Sequence, residues 1–258
     1  MNDLLTQLTA LTGQTEAFVW AGFLVFLRVG AVMALMPGFG EQSVPTRIKL
    51  VLTLAFTAVV APAVMPDIAP TPAFILPIAT EVVAGLALGI GLRLFIMALQ
   101  MAGAMIAQAT SLAQLFGGVG PEPQPAIANL LVMAGLALAM MAGLHVRAAE
   151  LLILSYDVMP AGRLPDAADM ADWGLSQISH AFALAFTLAA PFTIAALIYN
   201  VALGVINRAM PQLMVSFVGA PALTAGGLVL LAIVAPLALA IWLDQFQDFL
   251  NAPFATAP

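Results

Sequence analysis

Three charged side chains fall inside long apolar stretches: Arg28, Glu81 and Arg93. Facing lipid, each would cost at least about 2.5 kcal/mol near the centre of a bilayer. Such residues mark an ion or proton path, form an ion pair between helices or subunits, or sit outside the hydrocarbon. Glu81 and Arg93 stand twelve positions apart, roughly 18 Å along a straight helix. They cannot pair with each other on one helix, so each needs a partner elsewhere. His145 and His180 are the only histidines, and neither has HExxH or other metal-ligand spacing around it. There is no cysteine, which excludes disulfides, thiolate nucleophiles and cysteine-bound metal. No GxSxG elbow, phosphate-binding loop or acid–base constellation is present. The chain therefore reads as a non-enzyme with no cofactor or metal. Gly85 and Gly89 form a GxxxG in an apolar run, a spacing that serves close helix packing. The 14 methionines are either packing filler or a deformable surface for varied partners.

The elements that must hold these residues are apolar almost throughout. Of 258 residues, 63% are hydrophobic and 8% charged, against about 25% charged in an ordinary soluble domain. Seven basic and 13 acidic residues cannot build a water-exposed surface for this length, so lipid or other apolar subunits must solvate the chain. A net charge of −6, with no basic stripe, argues against nucleic acid. The N-terminus lacks a basic region and does not read as a cleavable signal peptide.

Six apolar regions follow: Phe18–Met36, Leu50–Met65, Phe74–Ala107, Ala126–Leu144 with an amphipathic continuation to Met159, Ala181–Ile206 and Leu213–Leu243. They are rich in Ala and Leu and show no period-2 alternation, which predicts helices rather than a membrane barrel. The expected class is an all-α membrane protein of long, kinked, broken helical hairpins. The third and sixth regions exceed the roughly 20 residues of one span. The sixth reads as interrupted at Gly219–Pro221 and Gly226–Gly227, and the fifth contains Pro191. Ala161–Trp173, with three aspartates, reads as a solvated loop or short amphipathic segment. Six spans with both termini outside place Arg47, Lys49 and Arg208 in cytoplasmic loops and Arg147 and Arg163 outside, a slender positive-inside bias.

Between the third and fourth regions the chain reads "SLAQLFGGVGPEPQPAIANLL". Phe116 to Pro125 hold three glycines, three prolines and one glutamate. Gly117, Gly118 and Gly120 open backbone angles closed to other residues. Pro121, Pro123 and Pro125 stop a helix from crossing the break. Leu115, Phe116 and Val119 supply uncharged bulk. The stretch is either a plain turn between hairpin helices or a constriction inside a protein-lined lumen.

Three collinear stretches carry a family resemblance. Phe23–Thr57, with "MPGFGEQSVPTRIKL", and Glu81–Ala113, with "GLALGIGLR", resemble the N-terminal and middle signatures of the flagellar biosynthetic protein FliR family. Ala189–Gly227 resembles its C-terminal signature through Arg208, Pro211 and Gln212, then Gly219 and Pro221. Met214 stands where the family usually has Asn, and Gly120–Pro121–Glu122–Pro123 replaces its usual Asp-Pro.

The resemblance implies a FliP-like portion, residues 1–180, followed by a FliQ-like C-terminal hairpin and tail, residues 181–258, bent at Met210–Pro221. It implies a subunit of the flagellar type III protein export gate, in the bacterial inner membrane at the flagellar basal body. The partners would be FliP, FliQ, other export-gate proteins and the unfolded flagellar proteins that pass through. It implies that Leu115, Phe116, Gly117, Gly118, Val119, Gly120 and Pro121 plug the lumen. Other readings are the homologous injectisome subunit and a secondary transporter. A transporter of the inverted-repeat kind should show two related halves, and no whole-span repeat is visible.

Overall fold

The structure is a computed structural model. It describes the backbone of residues 2–41, 43–65, 68, 74–110, 126–210 and 215–254, and their side chains except those of 2–14, 215–218, 220 and 221. Among the described residues there are seven helices and no strand. They are α1 (Asn2–Leu35), α2 (Thr46–Val64), α3 (Ile75–Thr110), α4 (Ala126–Met141), α5 (Leu144–Val158), α6 (Ala167–Ala209) and α7 (Val215–Asn251). In lipid every backbone polar group must be bonded internally, and the Ala- and Leu-rich runs meet that demand as helix. Five helices are long and apolar enough to cross a membrane, and α4 with α5 makes a bent pair that counts as a sixth candidate. The protein is an all-α membrane protein.

The third region is one helix, α3, of 36 residues, nearly as read. Helix boundaries differ from the sequence reading in three other places. The sixth carries no interruption at its glycines: α7 runs 37 residues through Gly219, Pro221, Gly226 and Gly227. A glycine inside a helix costs about 1 kcal/mol, less than unbonded backbone in an apolar setting. The acidic connection is shorter than expected, because α6 begins at Ala167 and runs 43 residues with Pro191 inside it. Asp166 makes that start. Its Oδ1 accepts from the Ala168 N–H (2.8 Å) and the Asp169 N–H (3.4 Å), which satisfies donors that the first turn leaves open. The fourth region breaks after Met141, and Gly143 there takes φ +83°, a left-handed value natural to glycine.

The chain forms two compact units. The first comprises Met1–Arg93, Ala142–Gln177 and Asp248–Pro258. Its core takes Leu24, Val25, Val29 and Val32 from α1, Met36 just after it, Val60 and Val64 from α2, and Leu144, Ala148 and Leu151 from α5. The α1 positions recur at three and four residues, one face of a helix. Gly85 and Gly89 set the approach of α3 to α1. A Cβ on Gly85 would meet the Arg28 carbonyl oxygen at 2.5 Å, and one on Gly89 would meet Leu35 Cβ at 3.0 Å. The GxxxG is thus a packing notch. The C-terminal end docks in the same unit: the Trp173 indole N–H donates to the Pro253 carbonyl (2.8 Å), and Phe249 fills the notch at Gly91.

The second unit comprises Leu94–Met141 and Ile178–Gln247. Trp242, fully buried, donates to the Phe95 carbonyl (2.9 Å) and stacks on Phe246 at 5.1 Å between centroids. Between α6 and α7 the Tyr199 hydroxyl donates to the Gly219 carbonyl (2.7 Å). A cleft of about 270 Å³ lies beside this bond, lined by Thr110, Phe192, Ala196, Tyr199, Gly226 and Leu230 among others.

Candidate functional site: a buried ion-pair network

The first unit contains a closed polar network built from three helices. Arg28 comes from two turns before the end of α1, Glu81 from the second turn of α3, and Ser155 and Tyr156 from the last turn of α5. Arg28, Glu81 and Ser155 are completely buried. The guanidinium grips the carboxylate with two bonds, Nε to Oε2 at 2.7 Å and Nη2 to Oε1 at 3.0 Å. Nη1 donates to Ser155 Oγ (3.0 Å), and Nη2 donates also to the Met159 carbonyl (2.7 Å) at the C-cap of α5. The Tyr156 hydroxyl donates to Glu81 Oε2 (2.9 Å), and its ring lies 3.6 Å from Arg28 Cζ.

Each contact answers a physical demand. A bidentate arginine–carboxylate pair is the strong form of an ion pair. A cation over an aromatic face adds attraction that grows when water is absent. The Met159 carbonyl is one of the acceptors a helix end leaves without a partner, at the negative pole of the helix. The pair holds no net charge, and the carboxylate accepts three hydrogen bonds. Without such satisfaction, two buried ions would cost several kcal/mol each. Beside the network, the Thr80 hydroxyl donates to the Pro77 carbonyl (2.8 Å) and accepts from the Gly162 N–H (3.2 Å). The loop after α5 is thereby tied to the start of α3.

The remaining sequence-derived residues fall elsewhere. Arg93 pairs with Glu41 at 2.7 Å, each about one-third exposed (33% and 29%). That bond, with Lys49 Nζ donating to the Gly40 carbonyl (2.8 Å), pins the MPGFGE turn after α1. Arg208 is exposed in the last turn of α6. Gly219 is buried in α7 as the acceptor of Tyr199, and Pro221 lies within the α7 backbone. Pro211, Gln212 and the loop of Leu115, Phe116, Gly117, Gly118, Val119, Gly120 and Pro121 lie outside the described residues. His145 is exposed, and His180 lies beside Phe95 at 6.0 Å between centroids. No group of three His, Asp or Glu able to hold a metal occurs among the described residues.

Sequence reasoning missed Glu41, Ser155, Tyr156 and the Met159 carbonyl. One signal was available: "SYD" ends the apolar run of α5, and two neighbouring hydroxyls there suit a buried charge. The carbonyl had no signal, because any residue supplies one.

Relatives of known kind match nearly the whole chain. Flagellar biosynthetic protein FliR of Caulobacter vibrioides is 34% identical over 239 residues, 90% of this chain and 95% of the relative. FliR of Escherichia coli is 29% identical, covering 89% of each chain. FliR of Aquifex aeolicus is 28% identical over 91% of this chain and 93% of its own. Residues 19–249 match the family described as bacterial export proteins, family 1. That stretch contains the MPGFGE turn, the glycine notch, the ion-pair network and the α6–α7 pair; the chain belongs to this family of bacterial export proteins, which it shares with FliR.

Proposed function

We propose that this protein is a non-enzymatic subunit of the flagellar type III export gate, helping to form the channel through which unfolded flagellar proteins cross the bacterial inner membrane at the basal body. The observation that carries the reading is the 34% identity to a FliR over 95% of that relative's length. Its partners in this reading are FliP and FliQ in a hetero-oligomer, together with other export-gate proteins. In this reading residues 1–180 are the FliP-like portion and 181–258 the FliQ-like hairpin and tail. Support for an assembled subunit comes from the apolar side chains left uncovered: Phe182, Phe186, Ile194 and Leu197 on α6, and Val229, Ile233 and Leu237 on α7, are all more than half exposed. Lipid or neighbouring subunits must cover them.

In the same reading Leu115–Pro121 plugs the lumen between export events. Its support is composition: glycines that permit movement, prolines that bound it, and bulk without charge. Residues of the α6–α7 connection, Arg208, Pro211, Gln212, Gly219 and Pro221, shape the hairpin end. Deleting the gene and assaying filament protein in the medium tests the function. Loss of secretion with restoration by the intact gene is expected; normal secretion from the deletion strain ends the proposal.

A further inference from the structure

An ionisable residue inside a span is by default a candidate for an ion or proton path. The network around Arg28 has the opposite construction. We infer that the Arg28–Glu81 pair is an orientation lock, setting the register of α1, α3 and α5 against one another, and that its charge carries no proton or ion during transport.

The hydrogen-bond pattern supplies the first reason. A relay needs a next station to receive the proton. Glu81 accepts from Arg28 at both oxygens and from Tyr156 at one of them. The two hydroxyls in contact with the pair are already directed: Ser155 donates to the Leu152 carbonyl (2.7 Å) and Tyr156 to Glu81. Arg28 and Tyr156 are the titratable groups that face Glu81 among the described residues, and an arginine does not deprotonate in proteins. Asp157, next in sequence, is exposed and bonds to none of them.

The second reason is what the guanidinium reads. One planar fork touches α3 through Glu81 and the end of α5 through Ser155 and Met159, while the backbone carbonyl of Arg28 is the floor of the Gly85 notch. α1, α3 and α5 carry apolar residues beyond their buried faces: Val83, Leu86 and Ile90 on α3, and Val146, Leu154 and Val158 on α5, are exposed. Apolar surfaces of this kind fit one another in several rotations and registers. A slide by one turn, about 5.4 Å, would keep most apolar contact but leave two buried ions unpaired. A buried polar group that penalises wrong registers is the best-attested role of such groups.

The test compares Arg28→Met, Glu81→Leu, the double variant and Tyr156→Phe, each in the full-length chain. Membrane-extracted protein is scored for accumulation and protease resistance, which do not depend on the export reading. Secretion of filament protein and its pH profile are scored separately, so failure of the lock and failure of the export reading are distinguishable. Each single variant is expected to lose about tenfold or more of the protease-resistant protein. The double variant leaves no ion unpaired but also removes the penalty on wrong registers, so it is expected to accumulate within about threefold of the parent while staying about threefold or more below it in protease resistance, with an unchanged secretion pH profile. A double variant as protease-resistant as the parent overturns the lock, and a displaced secretion pH profile in it overturns the absence of proton carriage. Should the double variant accumulate no better than the singles, Tyr156→Phe decides. It keeps the ion pair and removes the hydroxyl proton nearest to it, so an unchanged pH profile supports the lock and a displaced one overturns it.

Discussion

At the scale of single residues, burial separates two ion pairs that look alike in sequence. Arg28–Glu81 and Arg93–Glu41 have the same 2.7 Å closest distance. Removing one partner of a buried pair costs roughly 3–5 kcal/mol, whereas a pair one-third exposed is worth about 1 kcal/mol or less. Arg28→Ala is therefore expected to unfold the protein in detergent well below the parent's midpoint, and Arg93→Ala to stay close to it. Thermal unfolding of both variants, run side by side, checks the contrast. Equal shifts would mean that burial is not what separates the pairs. Tyr199→Phe makes a smaller claim. It removes one neutral hydrogen bond to the Gly219 carbonyl, so a loss of about 0.5–1.5 kcal/mol is expected, with the hairpin otherwise retained.

At the scale of elements, glycines with the same sequence context do different work. Gly85 lies against the α1 backbone, and a Cβ there has no room. Gly85→Leu is expected to push α3 off α1 and to sharply reduce accumulation of folded protein in membranes. A Cβ on Gly226 meets nothing within 4 Å. Gly226→Ala is therefore expected to be neutral or to stabilise α7 by up to about 1 kcal/mol, the helix-propensity difference. Quantifying the two variants in the same membrane preparation tests the pair together. Similar losses in both would contradict the packing described for α1 and α3.

At the scale of the whole molecule, the predictions concern assembly and tightness. The chain is expected to fractionate with membranes and to resist carbonate extraction, as five or six apolar helical spans require. Deleting Phe116–Gly120 is expected to leave assembly with partner subunits intact while raising ion leakage through the resting complex. Ion flux across vesicles containing the purified assembly measures this. Unchanged flux in an assembled mutant complex would argue for a plain connecting turn.

Membrane class and helical character were legible from residue types alone. Scarce charge leaves no way to solvate the chain in water, and apolar runs without alternation leave helix as the form that bonds its own backbone. Gly85 and Gly89 announced close packing through their spacing, and the three collinear motifs announced the family. The continuity of α7 was not legible: Gly and Pro stop helices in water, but inside apolar surroundings the alternative is unbonded backbone. The partners of Arg28 and Arg93 were equally hidden. Glu81 lies 53 residues from Arg28, and Glu41 lies 52 from Arg93, so only the tertiary packing of α1, α3 and α5 could choose among the available acids. It also chose which face of each uniformly apolar helix is buried, because hydrophobicity alone distinguishes lipid from core poorly when both are apolar.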